Sequence, residues 1–391
     1  MKGLDDLQNS IFNVLSKHPN LKGREIAKKL GLEKQVVNSF LAKNKNKFHI
    51  DELHQWNNII QETELVVEFQ KGWVDAEVFE LNLSGYNNLF ESNEKIRFVF
   101  TETKLLLDAI MRLLCLSNQL GQRGILICLD FRNCINTFGY LDRLGFFKHL
   151  HDSVQVFPEK PKASLAEKYS KNSENLIEVF PICPRDIDNG DVLRISGVFK
   201  NSFSEHEIQV LLPKLQIFVA SLIDNVRQHG QSELVGYSAL QIYNLIGQNQ
   251  KKIVLVIADN GAGLISTLRQ ALTYDRYRDL ALLFGGNSIE NNKTLLAHVL
   301  NNGGITQKED GSRGGLGLNE AHLAIAKISK LETVNQLELK NIDVNVSIRL
   351  DDCLYNFPYK HNQLKNCDLV HRGQYTKIYG TQFILTILLT K

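Results

Sequence analysis

An apolar segment that runs directly into a glycine turn constrains the fold of this chain more than any other feature. Residues 253–258 read IVLVIA, and residues 259–263 read DNGAG. A continuous apolar run is typical of a strand buried on both faces. Gly261 and Gly263 leave room for another group to approach the backbone. Taken alone, such a turn is as often structural as functional.

Three further segments accompany this turn. Residues 211–228 show the periodicity of a helix with one apolar face, and Ser221 and Asn225 lie one turn apart on it. A glycine-rich segment at 313–318 (RGGLGL) precedes a predicted helix, and Gly380-Thr381 opens the last predicted strand. Each segment is weak evidence singly, but the four in this order form a specific pattern.

Together the four segments resemble the ATP-binding domain of the GHKL superfamily, which includes gyrase, MutL, heat-shock-type chaperones, histidine kinases and anti-sigma-factor kinases. The resemblance spans roughly residues 205–391, within a predicted domain at 176–391. It implies an α/β sandwich, with a mixed sheet on one side and helices on the other. It also implies ATP and Mg²⁺ as ligands.

The resemblance gives the adenine and metal positions. Asn225 stands where the family places its Mg²⁺ ligand, and an amide oxygen suits that ion. Asp259 matches the aspartate that accepts the exocyclic amine of adenine, with Gly261 and Gly263 leaving space for the purine. Thr381 matches the position that closes the adenine end.

The phosphates are expected at the glycine-rich segment, which includes Gly315, Leu316, Gly317 and Leu318. Its backbone N–H groups and the positive end of the following helix favour anions. Residues 275–312, rich in Gly, Asn and charge, would form a mobile lid. Arg313 at the hinge of that lid is a candidate contact for the γ-phosphate, a role for which the family offers no matching position.

Two positions depart from the family pattern. Members that hydrolyse ATP carry a Glu one turn before the Mg²⁺ ligand, where this chain has Ser221, a poor general base. Arg313 replaces the first glycine of the glycine-rich segment.

His229 shares a helix face with Asn225 and is either a phosphate contact or a structural helix-end residue. A phospho-accepting histidine box is missing, which argues against a histidine kinase.

The first 60 residues differ in charge from the rest. The whole chain of 391 residues has a formal charge of +2, but residues 1–60 carry ten Lys and Arg against six Asp and Glu. Three short predicted helices and a strand-like segment at 48–56 resemble a winged helix-turn-helix domain. Its third helix would then meet DNA through these side chains: Lys34, Gln35, Asn38, Lys43 and Lys45. The alternative is a small helical unit for protein contacts or dimerisation.

Residues 64–160 predict a small α/β domain. Strands are expected at 64–69, 96–100 and 124–131, and an amphipathic helix at 103–120. This layout, with the stretch YLDRLGFF at 140–147, resembles STAS domains. A packing domain without a ligand of its own is an equal alternative. Residues 158–175 are the best candidate for a linker.

Localisation follows from what the sequence carries at its start and in its cysteines. Asp5 and Asp6 stand where a signal peptide would need an apolar run, and no uninterrupted apolar stretch reaches the ~18 residues of a membrane span. The six cysteines are scattered without a CxxC pair. We therefore expect a cytoplasmic protein with free thiols.

These observations predict an α/β regulator in which Mg²⁺-ATP orders the lid and so changes how domains or protomers associate and bind DNA or a protein partner. Hydrolysis would be slow or absent. The alternative is a protein serine/threonine kinase of the anti-sigma-factor type acting on a STAS-like partner. A third interpretation is an interaction module whose nucleotide is purely structural.

Overall fold

A computed structural model describes residues 4–45, 48–58, 64–86, 89–92, 94–169, 173–183, 190–229, 234–307, 315–360, 363–364, 368–370 and 375–391. The chain forms two compact units, Met1–Glu64 and Leu65–Lys391. It is a mixed α/β protein with parallel and antiparallel pairing, which confirms the predicted class. The segments predicted as separate domains at 64–160 and 176–391 lie together in the second unit.

The first unit has three helices followed by a hairpin. Its elements are α1 (Leu4–Lys17), α2 (Gly23–Leu30), α3 (Lys34–Lys43), β1 (Phe48–Ile50) and β2 (Trp56–Asn58). The hairpin is antiparallel, with Phe48 opposite Asn58. Gly31 ends α2 at φ 65°, a left-handed conformation that glycine adopts without strain. Apolar side chains of all three helices and both strands form one small core.

Most of the residues predicted to contact DNA are exposed. The exposed side chains are Lys34, Gln35, Lys43 and Lys45. Asn38 is half-buried, because its amide packs so closely on Gly23 that a β-carbon there would overlap it. Val36 of the same helix is 46% exposed, whereas its neighbour Val37 is buried in the core.

The helices of the second unit are α4 (Ala76–Leu83), α5 (Leu107–Gln122), α6 (Ile135–Leu144), α7 (Leu165–Lys168), α8 (Gly190–Ser202), α9 (Glu205–His229), α10 (Leu264–Ala271), α11 (Arg278–Phe284), α12 (Ile289–Asn302), α13 (Gly317–Ile328) and α14 (Leu331–Gln336). Short 3₁₀ helices span Leu89–Glu91, Phe146–Lys148, Ile246–Gln248 and Asp275–Tyr277. The helix α7 lies inside the predicted linker.

The strands of this unit are β3 (Glu64–Phe69), β4 (Gly72–Val74), β5 (Lys95–Thr101), β6 (Thr103–Leu105), β7 (Ile127–Asn133), β8 (Gln155–Phe157), β9 (Leu176–Ile182), β10 (Gly236–Leu245), β11 (Gln250–Asp259), β12 (Asn341–Asp351), β13 (Cys353–Lys360), β14 (Gln363–Leu364), β15 (Asp368–Val370) and β16 (Ile378–Thr390). The strands predicted near 64, 96, 124 and 253 are β3, β5, β7 and β11.

A large sheet organises the unit, with the order β14-β13-β12-β16-β11-β10-β9 and β15 paired to β13. Every pairing among its described strands is antiparallel, so the expectation of a mixed sheet is wrong. Tight connections join β10 to β11 and β12 to β13, and such connections can only link antiparallel neighbours. Alternate residues of β11 pack into two different cores, which confirms a strand buried on both faces.

One face of this sheet packs on a helical layer. Side chains of α8, α9, α12 and α13 share a core with alternate residues of β10, β11, β12 and β16. By length and composition, Glu205–Arg227 within α9 could cross a membrane, but 56% of its apolar 18-residue window is buried. Core helices of soluble proteins have the same length and composition.

The other face packs on α5, which lies between the large sheet and a second sheet of order β3-β5-β7-β8. The predicted helix at 103–120 begins only at Leu107, because Thr103–Leu105 pairs with β4 as a strand. The helix is buried on all sides rather than amphipathic, since sheets cover both of its faces.

A buried ion cluster joins this layer to the large sheet. Glu80 of α4 accepts hydrogen bonds from Arg349 of β12 and lies 3.1 Å from Arg112 of α5. All three side chains are at most 1% exposed. Burial of this kind is tolerated only when the charges are paired, so α4, α5 and β12 are tied together at this point.

Candidate functional site

A cavity of about 380 Å³, hereafter the α9 cavity, opens beside the helix that carries Asn225. One face of α9 lines it, with Ile217, Ala220, Ser221, Asp224 and Asn225. These positions recur at intervals of three and four residues, as one face of a helix requires. Residues of α10, the end of α12 and the segment at 305–307 close the other sides.

Asn225 lines this cavity, and its amide nitrogen is the atom that suggests a ligand. Its Nδ2 is buried and has no hydrogen-bond partner among the described residues. A β-carbon on Gly317 would lie 3.4 Å from that Nδ2 and 3.5 Å from its Oδ1. An amide can turn by 180° and present either atom, so this group can offer an oxygen to a cation. An unpaired buried polar atom costs free energy, and a ligand would remove that cost.

The glycine-rich segment reaches the α9 cavity from the opposite side. Gly315, Leu316, Gly317 and Leu318 all line it. Gly315 has φ 79°, and a β-carbon there would overlap the Ile305 backbone, so only glycine fits. Leu316, the N-cap residue of α13, makes no side-chain cap, and the N–H groups of a helix's first turn are suited to meeting an anion.

The described lining of the α9 cavity is acidic. It contains Asp224 and Glu320 and, over the described residues, no Lys, Arg or His. Arg313 lies outside the described residues, and so does the side chain of His229. A triphosphate placed here would therefore need a divalent cation to offset repulsion from the two carboxylates. Groups of three or more metal-ligating His, Cys, Asp or Glu side chains are absent from the described ranges.

Asp259 ends β11 in a nearly closed environment. It is 7% exposed and accepts a 2.7 Å hydrogen bond from the N–H of Gly261. Burial raises the pKa of this carboxyl to about 6, against the smaller lowering effect of that hydrogen bond. A further hydrogen-bond donor, such as an aromatic amine, would stabilise the ionised form of this buried carboxyl.

The start of β16 packs directly on this turn. Thr381 is opposite Asp259 in the register, and its hydroxyl accepts a 2.7 Å hydrogen bond from the N–H of Leu264. Gly380 has φ 83°, and a β-carbon on it would overlap the Asp259 carbonyl oxygen. Leu264 itself lines the α9 cavity, so Thr381 connects the sheet to the cavity wall.

The predicted site residues divide between two neighbouring places. Asn225 and the glycine-rich segment line the α9 cavity, whereas Asp259, Gly261, Gly263 and Thr381 are not among its described lining. Gly263 instead lines a second cavity of about 380 Å³, together with Gly380. Gly263 and Leu264 are consecutive, so the two cavities lie on either side of one chain segment.

The predicted lid is largely helical where it is described. It contains α11 and α12, and its residues 308–312 lie outside the described ranges. The Tyr277 hydroxyl donates to the Gly304 carbonyl and accepts the Thr306 N–H, which fixes the segment after α12. The Gly304 N–H donates to the Gly315 carbonyl, so this segment lies directly beside the glycine-rich turn.

Sequence patterns missed several residues of this region. Thr267, Thr306, Gln307 and Glu320 line the α9 cavity, and no motif marked them. Gln119 of α5 hydrogen-bonds to Asn260, more than a hundred residues away in the chain. Contacts of this kind leave no local signal in a single sequence.

The chain was compared with known proteins, and no protein-family model, curated protein or solved structure matches it.

Proposed function

We propose that this chain is a GHKL-type ATP-binding regulator in which the Mg²⁺-bound phosphates of ATP occupy the α9 cavity and the adenine lies at the neighbouring turn after β11. The observation that carries the proposal is the buried Nδ2 of Asn225, which lies beside Gly317 and has no hydrogen-bond partner among the described residues. A helix asparagine, a β-carbon-free turn and an uncapped helix start meet in one cavity, as a metal-bound phosphate chain requires.

In the proposed complex Asn225 ligates Mg²⁺ and the first turn of α13 donates N–H groups to the phosphates. Asp259 accepts the amine of adenine, whose purine lies beside Gly261 and Gly263. Bound Mg²⁺ supplies the positive charge that the described lining lacks. Ser221, buried beside Asn225, is a poor base, so hydrolysis is slow or absent.

We further propose that nucleotide occupancy moves the lid at 275–312, whose described part is already helical, and so changes how protomers or domains associate. A ligand shifts such an equilibrium only if it binds one conformation better, and the phosphate contacts of the 315–318 turn provide that difference. The protein would be cytoplasmic and would act on DNA or on a protein partner.

For residues 1–60 we propose DNA binding. Three helices and a hairpin are the elements of a winged helix-turn-helix domain, and its third helix exposes Lys34, Gln35 and Lys43. The net positive charge favours phosphate contacts. Asn38, packed on α2, would support the third helix rather than contact a base.

Calorimetric titration of the full chain with ATP, with and without Mg²⁺, tests the proposal. Binding should require Mg²⁺ and should be lost in Asn225→Ala. The control is Asn82→Ala, a half-buried asparagine of α4 that lines neither cavity. Binding that survives in Asn225→Ala, or that needs no divalent ion, refutes the assigned site.

Two further experiments separate the alternatives. Sizing chromatography with and without Mg²⁺-ATP should show a change of assembly state if the nucleotide is a switch. Incubation with γ-labelled ATP and candidate partners should leave protein unlabelled, and label on protein would favour the kinase alternative.

The DNA assignment has a test of its own. Deleting residues 1–60 should abolish salt-dependent DNA binding, because the basic side chains that would neutralise phosphates lie there. Unchanged binding after the deletion would contradict the assignment.

A further inference from the structure

We propose that Gln119 of α5 is a positioning residue of the nucleotide site, and that the segment 64–160 thereby sets nucleotide affinity. The inference rests on the proposed function. It assigns part of the site to a helix that lies outside the region resembling the ATP-binding family.

The Gln119 side chain joins two backbone segments that meet at Asp259. Its Nε2 donates to Asn260 Oδ1 at 2.7 Å and to the Tyr379 carbonyl at 2.9 Å. Its Oε1 accepts the Tyr379 N–H at 2.9 Å. Only 4% of the residue is exposed, so water does not compete for these bonds.

Both partners adjoin the adenine end of the proposed site. Asn260 directly follows Asp259, and its own Nδ2 donates to the Val235 carbonyl at 2.8 Å. Tyr379 directly precedes Gly380, whose backbone packs against the Asp259 carbonyl oxygen. Gln119 therefore bridges the turn after β11 and the residue before Gly380 in β16.

A second contact holds the same strand to α5. Arg112, two turns earlier on the helix, lies with its Nη1 3.4 Å from Oε1 of Gln382. Gln382 follows Thr381, the residue that accepts the Leu264 N–H at the wall of the α9 cavity. A shift of α5 would therefore move β16 beside the proposed nucleotide site. The position of the 64–160 segment would then be coupled to nucleotide binding.

The preceding residue of the same helix offers a matched control. Asn118 also makes three hydrogen bonds, donating to the His149 carbonyl and Tyr237 hydroxyl and accepting the His151 N–H. It is 1% exposed, and none of its partners adjoins Asp259 in sequence. Loss of the Asn118 hydrogen bonds should lower the unfolding free energy about as much as loss of the Gln119 bonds. It should leave the turn after β11 in place.

The experiment measures Mg²⁺-ATP affinity of the full chain for wild type, Gln119→Met and Asn118→Leu, with thermal unfolding for each. Methionine keeps the length of the side chain but makes none of the three bonds. We expect affinity to fall by about tenfold or more in Gln119→Met and by less than about threefold in Asn118→Leu. Equal losses in the two variants would overturn the positioning role while leaving the proposed function intact.

A charged variant allows a second measurement, the pH dependence of ATP affinity, which simple destabilisation of the fold would not change. In Gln119→Glu the carboxylate accepts the Tyr379 N–H but cannot donate to Asn260, and it adds negative charge near Asp259. The pH at which ATP affinity is half lost should therefore rise relative to wild type. An unchanged pH profile refutes the inference even if Gln119→Met fails to fold. Absence of ATP binding in wild type refutes the proposed function and the inference together.

Discussion

Replacing Asp259 by asparagine is expected to stabilise the fold at neutral pH while weakening ATP binding. Burial raises the pKa of this carboxyl from an ordinary 3.8 to about 6. Because this pKa is higher in the folded than in the unfolded state, the protonated carboxyl contributes to the unfolding free energy. That contribution is fully present below pH 3.8 and is lost as the pH rises through 6. The shift of roughly two units corresponds to about 3 kcal/mol of unfolding free energy lost by pH 8.

Asparagine has nearly the same shape and still accepts the Gly261 N–H, but it carries no charge to bury. The unfolding free energy of Asp259→Asn should therefore exceed that of wild type by about 2–3 kcal/mol at pH 8, with no gain at pH 4. Urea denaturation at both pH values measures this difference. A variant that is no more stable at pH 8, or equally stabilised at pH 4, would refute the assignment of the pKa to burial.

The binding half of the prediction has the opposite sign. An ionised carboxylate accepting the adenine amine contributes about 1.5–3 kcal/mol, so ATP affinity should fall by about 10–150-fold in Asp259→Asn at pH 8. Wild-type affinity should also fall below pH 6 as the carboxyl protonates, whereas the variant should show no such step. A folding defect would lower stability and affinity together, so the opposite signs identify the site.

Three further changes test other parts of the structure. Asn225→Ala should abolish Mg²⁺-ATP binding yet leave unfolding free energy unchanged or about 1 kcal/mol higher, because the amide Nδ2 has no partner among the described residues; calorimetry and urea denaturation measure the two quantities. Glu80→Ala leaves two buried arginines without their carboxylate and should lower unfolding free energy by about 3–5 kcal/mol in urea, whereas a loss below about 1 kcal/mol would contradict the ion cluster. Gly380→Ala should lower the melting temperature and ATP affinity together, because its β-carbon would overlap the Asp259 carbonyl at φ 83°; unchanged values of both would refute that close approach.

The sequence by itself determined the elements whose signals are local. The apolar run at 253–258 predicts β11, and the helical periodicity at 211–228 predicts α9. These signals are local because backbone conformation and burial of one face depend on residues only a few positions apart. The order of motifs likewise indicated Asn225 and Asp259 as candidate site residues.

Tertiary structure decided what those elements contact. Leu107–Gln122 has the periodicity of an amphipathic helix, yet two sheets bury it on all sides. The residues at 103–105 leave the predicted helix because β4 offers backbone partners. Pairings of this kind form between segments that are distant in the chain, so a local sequence pattern does not predict them.

The same limit applies to the site. Asn225 could be proposed from its place on a helix. Its amide Nδ2, which has no partner among the described residues, and the acidic lining around it result only from the packing of α9, α10 and the 315–318 turn. No motif marks Gln119, since its role depends on contacts with Asn260 and Tyr379, which are distant from it in the chain. Chemistry at one position is a property of the residue, whereas its pKa, its partners and its access to a ligand are properties of the packing around it.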